Sequence, residues 1–135
     1  MKAQLLTTIE NSMGYTLAVA EAMPEDRYDF RPATSVFNFL ELMNHITYGI
    51  KWYSENSIQK IETPWEPPAP HKTKEATIKS LEQSFVALKK GLNGIVLDEE
   101  RIHGVNTTLD HISHHRGQAT TYLRCNDIKP ADYIY

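Results

Sequence analysis

Three of the six histidines of this chain lie within five consecutive residues, at His111, His114 and His115. Residues four apart on a helix lie on one face, so His111 and His115 would direct their imidazoles to a common point. His111 and His114, three apart, would converge almost as well, and spacing does not choose between the pairs. Two imidazoles held by a stiff helix are a usual beginning of a divalent transition-metal site. The cluster therefore predicts either a metal site or histidines on a solvated helix face.

Two polar residues extend this face of the same helix. At about 100° per residue, Gln118 and Tyr122 continue the stripe formed by His111 and His115. Their side chains could hydrogen-bond to bound water, to a substrate or to a ligand imidazole, and such outer-shell contacts orient metal ligands. Gln118 and Tyr122 are therefore the candidates for positioning or catalytic roles.

The composition is that of an ordinary globular protein and excludes several function classes. The 135 residues are within the usual size of one domain, and 41% are hydrophobic and 23% charged. A net charge of −3 without a basic run argues against nucleic-acid binding. No stretch approaches the ~20 apolar residues of a membrane span, and the N-terminus lacks the apolar run of a signal peptide. We expect one domain, residues 1–135, with neither nucleic acid nor membrane as partner.

Cys125 is the single cysteine, so no disulfide can form within the chain. Because structural disulfides belong to oxidising compartments, we expect a reducing, cytoplasmic location. A lone cysteine near a helix end is more often a small packing residue than a reactive thiol.

Apolar residues recur at helical spacing in four segments, which predicts four helices. The first runs from the N-terminus to Met23, because the following Pro24 disfavours a helical conformation there. The second begins at Thr34 or Ser35, either of which can cap its first turn, and its apolar stripe starts at Val36.

The third helix, capped by Thr73, has the clearest periodicity in the chain, with apolar residues in alternating steps of three and four. These residues are Ile78, Leu81, Phe85, Leu88, Leu92 and Ile95. The fourth helix is expected to run from its cap at Asn106 to about Arg124, after a polar connector over residues 98–104. Four amphipathic helices with short and long connectors predict an all-α four-helix bundle.

A proline-rich connector separates the second and third helices. Residues 64–70 contain four prolines, which exclude a helix or a central strand there. Trp65 in this connector is expected to anchor against the core rather than to line the mouth of a pocket. The tyrosines of the tail, Tyr133 and Tyr135, are expected to dock on the bundle or on a second subunit.

His45 lies on the second helix, at the flank of its apolar stripe and one turn before Gly49. Taken alone, it is better explained as a half-buried histidine bound to a carbonyl group, with Gly49 leaving open space beside its ring. A bundle, however, lets His45 on the second helix face His111 and His115 on the fourth.

These features resemble the DinB-like superfamily, which includes DNA-damage-inducible DinB proteins and YfiT-type metal-dependent hydrolases. The likeness rests on His45, on the block His-x-x-x-His-Arg-Gly-Gln at residues 111–118, and on the Pro-x-Asp-Tyr ending at residues 130–133. The resemblance implies a bundle with up-down-down-up helix directions and a long connector after the second helix. It also implies a homodimer.

The resemblance further implies a site for a divalent transition metal with His45, His111 and His115 as its ligands. Zinc or nickel is expected first, with iron, manganese and copper as alternatives, since imidazole suits several of these ions. His114 then becomes a neighbour of the site, in an outer-shell or interface role.

The activity implied is that of a metal-dependent enzyme. Three imidazoles leave a coordination position open, as in catalytic sites. The family contains enzymes that transfer low-molecular-weight thiols to electrophiles, so we expect a thiol transferase or hydrolase acting on a small electrophilic substrate. Glu41, one turn before His45, is a candidate general base. The alternatives are a non-enzymatic, stress-associated dimeric bundle that binds metal, and a bundle without metal.

Overall fold

Four α-helices make up the fold in the computed structural model, which describes residues 1–133. They are α1 (Lys2–Ala22), α2 (Phe39–Tyr53), α3 (Lys74–Asn93) and α4 (Glu99–Cys125). A 3-10 turn (Glu25–Arg27) follows α1, and a π-helical turn (Ser54–Ile58) extends α2. Residues 1–133 contain no strand, so the prediction of an all-α protein with four helices is confirmed. Within this range no helix is both long and apolar enough to span a bilayer.

The four helices enclose one hydrophobic core. Helices α1 and α2 each pack against both α3 and α4. The apolar seam predicted for α3 faces inward, with Leu81, Phe85 and Leu92 fully buried. The largest fully buried side chains of α1 and α2 are Ile9, Phe39, Leu42, Met43, Ile46 and Ile50. The order of helix directions and the extent of the domain to residue 135 stay predictions.

The second helix begins later than Thr34 or Ser35, so that boundary prediction was wrong. The Asn38 side chain accepts a hydrogen bond from the Glu41 amide at 2.8 Å, and the Glu41 carboxylate accepts one from the Asn38 amide at 2.8 Å. This reciprocal capping box satisfies two backbone donors and sets the start of α2 at Phe39. Val36, predicted to open the buried stripe, lies before the helix and is 38% exposed.

The fourth helix begins at Glu99, so the predicted cap at Asn106 and the predicted connector over residues 98–104 were wrong. The Asp98 side chain caps α4 by accepting a hydrogen bond from the Arg101 amide at 2.7 Å. Glu99 and Glu100 then place acidic side chains in the first turn, where the helix dipole favours them. The starts of α1 and α3 and the end of α1 agree with the predictions, including the cap at Thr73.

A buried arginine joins α4 to α1. The Arg116 guanidinium donates to the Ser12 carbonyl at 3.3 Å, to the Ser12 hydroxyl at 3.1 Å and to the Thr16 hydroxyl at 3.2 Å. It also lies over the rings of Tyr15 and Tyr133, at 4.9 and 5.2 Å. The tail tyrosine Tyr133 therefore docks on the bundle, as predicted, whereas Tyr135 lies outside the described residues.

Helix α4 passes very close to the π turn at Gly104. A Cβ atom at this position would lie 2.6 Å from the Ser57 carbonyl oxygen and 2.8 Å from the Ser57 Cβ. Both are closer than van der Waals contact, and one belongs to the backbone, so no side-chain rotation relieves the clash. Gly104 is thus required by the approach of two backbones, although glycine is a poor helix former.

We expect Gly104→Ala to lower the free energy of unfolding by about 1–3 kcal/mol, the usual cost of overpacking a core. Gly14→Ala is the matched control, because Gly14 is a helical glycine with nothing within 4 Å of the added methyl. That variant should gain up to about 1 kcal/mol from helix propensity. Urea denaturation measures both, and equal effects of the two substitutions would contradict this account of Gly104.

Candidate metal centre

Three imidazoles from two helices meet between α2 and α4. The Nε2 atom of His45 lies 3.0 Å from the Nε2 atom of His115 and 3.2 Å from that of His111. The ring centroids of His111 and His115, one helical turn apart on α4, are separated by 4.6 Å. The structure thus brings together the three histidines predicted as ligands, and it selects His115 over His114 as the partner of His111.

His115 is oriented by a hydrogen bond at Nδ1, the ring nitrogen that faces away from the cluster. Its Nδ1 atom lies 2.8 Å from Oε1 of Gln118, three residues further along α4. Because an amide oxygen only accepts hydrogen bonds, the proton of His115 resides on Nδ1, and the lone pair on Nε2 faces the cluster. Gln118 therefore makes the contact predicted for an outer-shell residue, which would fix both the tautomer and the rotation of the His115 ring in a metal site.

His111 is oriented by packing against a glycine. A Cβ atom at Gly49 would lie 2.2 Å from Cε1 and 2.5 Å from Nδ1 of His111, so the ring rests directly on the α2 backbone. The space left by Gly49 is therefore filled by His111, and the expectation that it opens beside His45 was wrong. Nδ1 of His111 is buried and has no hydrogen-bond partner among the described residues. The ring of Tyr53, 5.2 Å away between centroids, confines it further.

Aromatic rings surround His45. Its ring centroid lies 5.2 Å from that of Phe37 and 5.7 Å from that of Trp65. Trp65 is 41% exposed and also contacts Tyr48 and Trp52, at 4.8 and 5.3 Å between centroids. The expectation that Trp65 anchors in the core was wrong, since the indole instead covers the histidine cluster.

Hydrogen bonds on both sides hold Trp65 in place. The Trp52 indole nitrogen donates to the Thr63 carbonyl at 3.0 Å, and the Glu66 amide donates to the Tyr48 hydroxyl at 2.9 Å. The Asn56 side chain pairs with Thr63 through two further bonds of 2.8 Å. The proline-rich connector is therefore attached to α2 immediately before and after Trp65.

Burial keeps these histidines neutral. Desolvation, followed by the nearby His115, lowers the pKa of His45 to about 4. Desolvation also lowers the pKa of His111 to about 4, and the charges of His115, His45 and His114 add to the effect. Burial likewise lowers the pKa of His115, although its bond to Gln118 opposes the shift. Metal ions bind the neutral imidazole, so protons compete little with a metal here near neutral pH.

Other residues singled out from the sequence lie away from the cluster or have other partners. The Tyr122 hydroxyl donates to the Phe37 carbonyl at 2.7 Å, and the residue is 5% exposed. Glu41 is engaged by the Asn38 amide and by Arg31 at 3.3 Å, which leaves it poorly placed as a base. His114 is exposed, with its ring 4.8 Å from that of His115.

The donor set fits a transition metal of the zinc type. Ligand nitrogens in a tetrahedral zinc site are separated by about 3.3–3.4 Å, given Zn–N bonds of 2.0–2.1 Å. The separations of 3.0 and 3.2 Å measured from His45 are close to this edge length. Neutral imidazoles whose ring nitrogens face one another are stabilised when a cation binds between them. The residues present therefore fit a divalent ion, of which they would fill three coordination positions.

Comparison with solved structures gives the fold a class. A DinB-like protein, YjoA from Bacillus subtilis, has a TM-score of 0.71 to this chain at 18% sequence identity, and the match covers 96% of this chain and 97% of that one. No family model and no curated protein matches the sequence. The fold is thus DinB-like, as the resemblance carried by His45 and the histidine block predicted.

Gly49→Ala should weaken metal binding without unfolding the protein. The added methyl overlaps the His111 ring, which is the end of a side chain and can rotate away, while alanine favours the helix. Displacing a ligand should cost at least roughly tenfold in affinity, as changes to the support of ligands usually do. Zinc titration against a competing chelator measures this, with Gly14→Ala as the control. Wild-type affinity in Gly49→Ala would refute the packing role of Gly49.

Acid should destabilise the metal-free protein through these histidines. The folded pKa values of His45 and His111 are about 4, whereas an unfolded histidine titrates at about 6.5. Between these pH values the unfolded chain binds more protons, so the free energy of unfolding falls as the pH falls.

Urea denaturation in chelator at pH 7.5, 6 and 5 tests this. A double variant, His45→Asn with His111→Asn, should lose less stability over the interval than the wild type. His103→Asn changes an exposed histidine of α4 outside the cluster and should behave as the wild type does. Parallel profiles for all three proteins would contradict the prediction.

Proposed function

We propose that this protein is a metal-dependent enzyme of the transferase or hydrolase type, acting on a small electrophilic substrate with a low-molecular-weight thiol or water as nucleophile. The observation that carries the proposal is the convergence of three Nε2 atoms. That of His45 lies 3.0 Å from that of His115 and 3.2 Å from that of His111. A set of three imidazoles leaves a coordination position for a reactant, which separates catalytic from purely structural zinc sites.

A divalent ion bound by the three histidines would lower the pKa of a thiol or water and so supply a nucleophile at neutral pH. The chain contributes binding, orientation and exclusion of water. Gln118 holds His115 in the tautomer that presents Nε2. Trp65 and Phe37 limit access of bulk water to His45, which strengthens electrostatic interactions in the site. In the transfer reaction the thiol loses its proton to solvent water, its sulfur forms the bond to the electrophile, and the leaving group departs with its electron pair.

Several further properties are proposed because of the resemblance to DinB-like proteins. They are an up-down-down-up order of helix directions, a homodimer, and zinc or nickel as the ion, with iron, manganese or copper as alternatives. A cytoplasmic location is proposed because the single cysteine, Cys125, allows no disulfide within the chain, as is usual in reducing compartments. Elemental analysis of protein purified without a histidine tag is the first measurement to make, since it identifies the ion.

The decisive assay measures thiol consumption by a panel of small electrophiles with the zinc- or nickel-loaded protein. His111→Ala should abolish both metal binding and catalysed thiol consumption, because it removes one of three ligands. His103→Ala is the control, since it changes an exposed histidine of α4 outside the cluster. Equal catalysis by wild type and His111→Ala would refute the proposal.

The second candidate, a non-enzymatic bundle stabilised by metal, predicts a different result for the same proteins. Chelation would then lower the melting temperature strongly while no thiol or hydrolysis chemistry is found. A melting temperature that chelation leaves unchanged, together with no bound ion, would favour the bundle without metal.

A further inference from the structure

A groove of about 650 Å³ runs along α2 beneath the proline-rich connector. Helix α3 forms its floor with Ala87 and Leu88, and residues 67–70 of the connector line the opposite side. The volume is within the range of pockets that hold small organic ligands. Three of the four connector residues are prolines, which have no backbone N–H to offer a ligand.

The groove adjoins the histidine cluster at His45. His45 and Phe37 line it, and His45 is at the same time the member of the cluster closest to both other Nε2 atoms. A molecule coordinated beside His45 can therefore extend along α2 toward Ala87 without crossing the core.

Three of the polar side chains that line the groove, those of Asn44, Thr47 and Ser84, have hydrogen-bond partners within the protein. The Asn44 amide bonds to the His71 amide at 2.9 Å and to the Leu40 carbonyl at 2.9 Å. The hydroxyls of Thr47 and Ser84 donate to carbonyls of their own helices, at 2.9 and 2.7 Å. These groups have little capacity left to recognise a polar ligand.

The charged side chains of the groove are paired as well. Glu41 accepts bonds from the Asn38 amide and from Arg31, and Lys51 lies 3.7 Å from Glu55. Each charged side chain that lines the groove thus lies near a group of opposite charge within the protein.

We infer that this groove binds the neutral, apolar body of the substrate or cosubstrate, while its polar head reaches the metal centre beside His45. This inference rests on the proposed function and assigns it a ligand class: small molecules with a reactive or metal-binding head and an alkyl or aryl part. The apolar surface of the groove, to which the connector prolines, Ala87 and Leu88 contribute, selects against ligands whose bodies are charged.

Hydroxamates of increasing chain length provide the test on cobalt-loaded protein, whose visible spectrum reports both metal binding and inhibitor coordination. A fully buried methylene contributes about a fourfold gain in affinity, and roughly twofold is expected in a groove partly open to solvent. Octanohydroxamate should therefore bind roughly 60-fold more tightly than acetohydroxamate, which differs only by six methylenes.

Two neighbouring substitutions on α3 locate the chain. Ala87→Trp fills the groove and should abolish the dependence on chain length, while acetohydroxamate binds as before. Val86→Trp is the matched control, because Val86 is 52% exposed and does not line the groove. That variant should keep the full dependence.

Each outcome has one meaning. Absence of a cobalt spectrum overturns the proposed function and this inference with it. A cobalt spectrum with equal affinity for short and long hydroxamates overturns the inference alone. A chain-length effect that survives Ala87→Trp also overturns it, because the apolar part would then lie elsewhere, as against Trp65.

Discussion

The close approach of α2 and α4 at Gly49 is the contact on which the histidine cluster depends. Only a residue without a side chain lets the His111 ring rest on the α2 backbone, where its Nε2 atom comes within 3.2 Å of that of His45. Helix α4 also meets the π turn that follows α2, where Gly104 lies against Ser57. Two glycines, each unfavourable for a helix by about 1 kcal/mol relative to alanine, are thus retained where backbones must meet. The site is built from helix packing rather than from loops, which favours a fixed geometry.

Much of this arrangement was predictable because it follows from helical periodicity. The spacing of four between His111 and His115 places both rings on one face, and the same period places Gln118 beside His115. The seam of α3 and its cap at Thr73 are local signals of the same kind, and both are found. His45 is different, since its spacing to α4 is set only by the packing of two helices. Its place in the cluster was predicted through the resemblance to DinB-like proteins, whose fold the structure shares.

The errors arose where tertiary contacts or competing caps decide. Thr34 and Ser35 are good caps, but Asn38 forms a reciprocal box with Glu41, and this pair wins. Tyr122 shares the stripe of His111, yet at the far end of α4 its hydroxyl reaches the Phe37 carbonyl instead of the cluster. Trp65 could not be placed from the sequence, because the path of the connector depends on hydrogen bonds to α2 from residues such as Thr63. Periodicity predicts which face of a helix a residue occupies. It does not predict which residues of other segments pack against that face.

The electrostatic character of the region follows from the same packing. Burial disfavours the charged imidazolium, so His45 and His111 are neutral well below pH 7, and a cation meets free lone pairs rather than protons. The aromatic ring of Phe37, which packs against the ring of His45, also lines the groove under the connector. The histidine cluster and the groove therefore share an apolar wall at Phe37. A substrate with an apolar body would complete that desolvation on binding, whereas a charged one would reverse it.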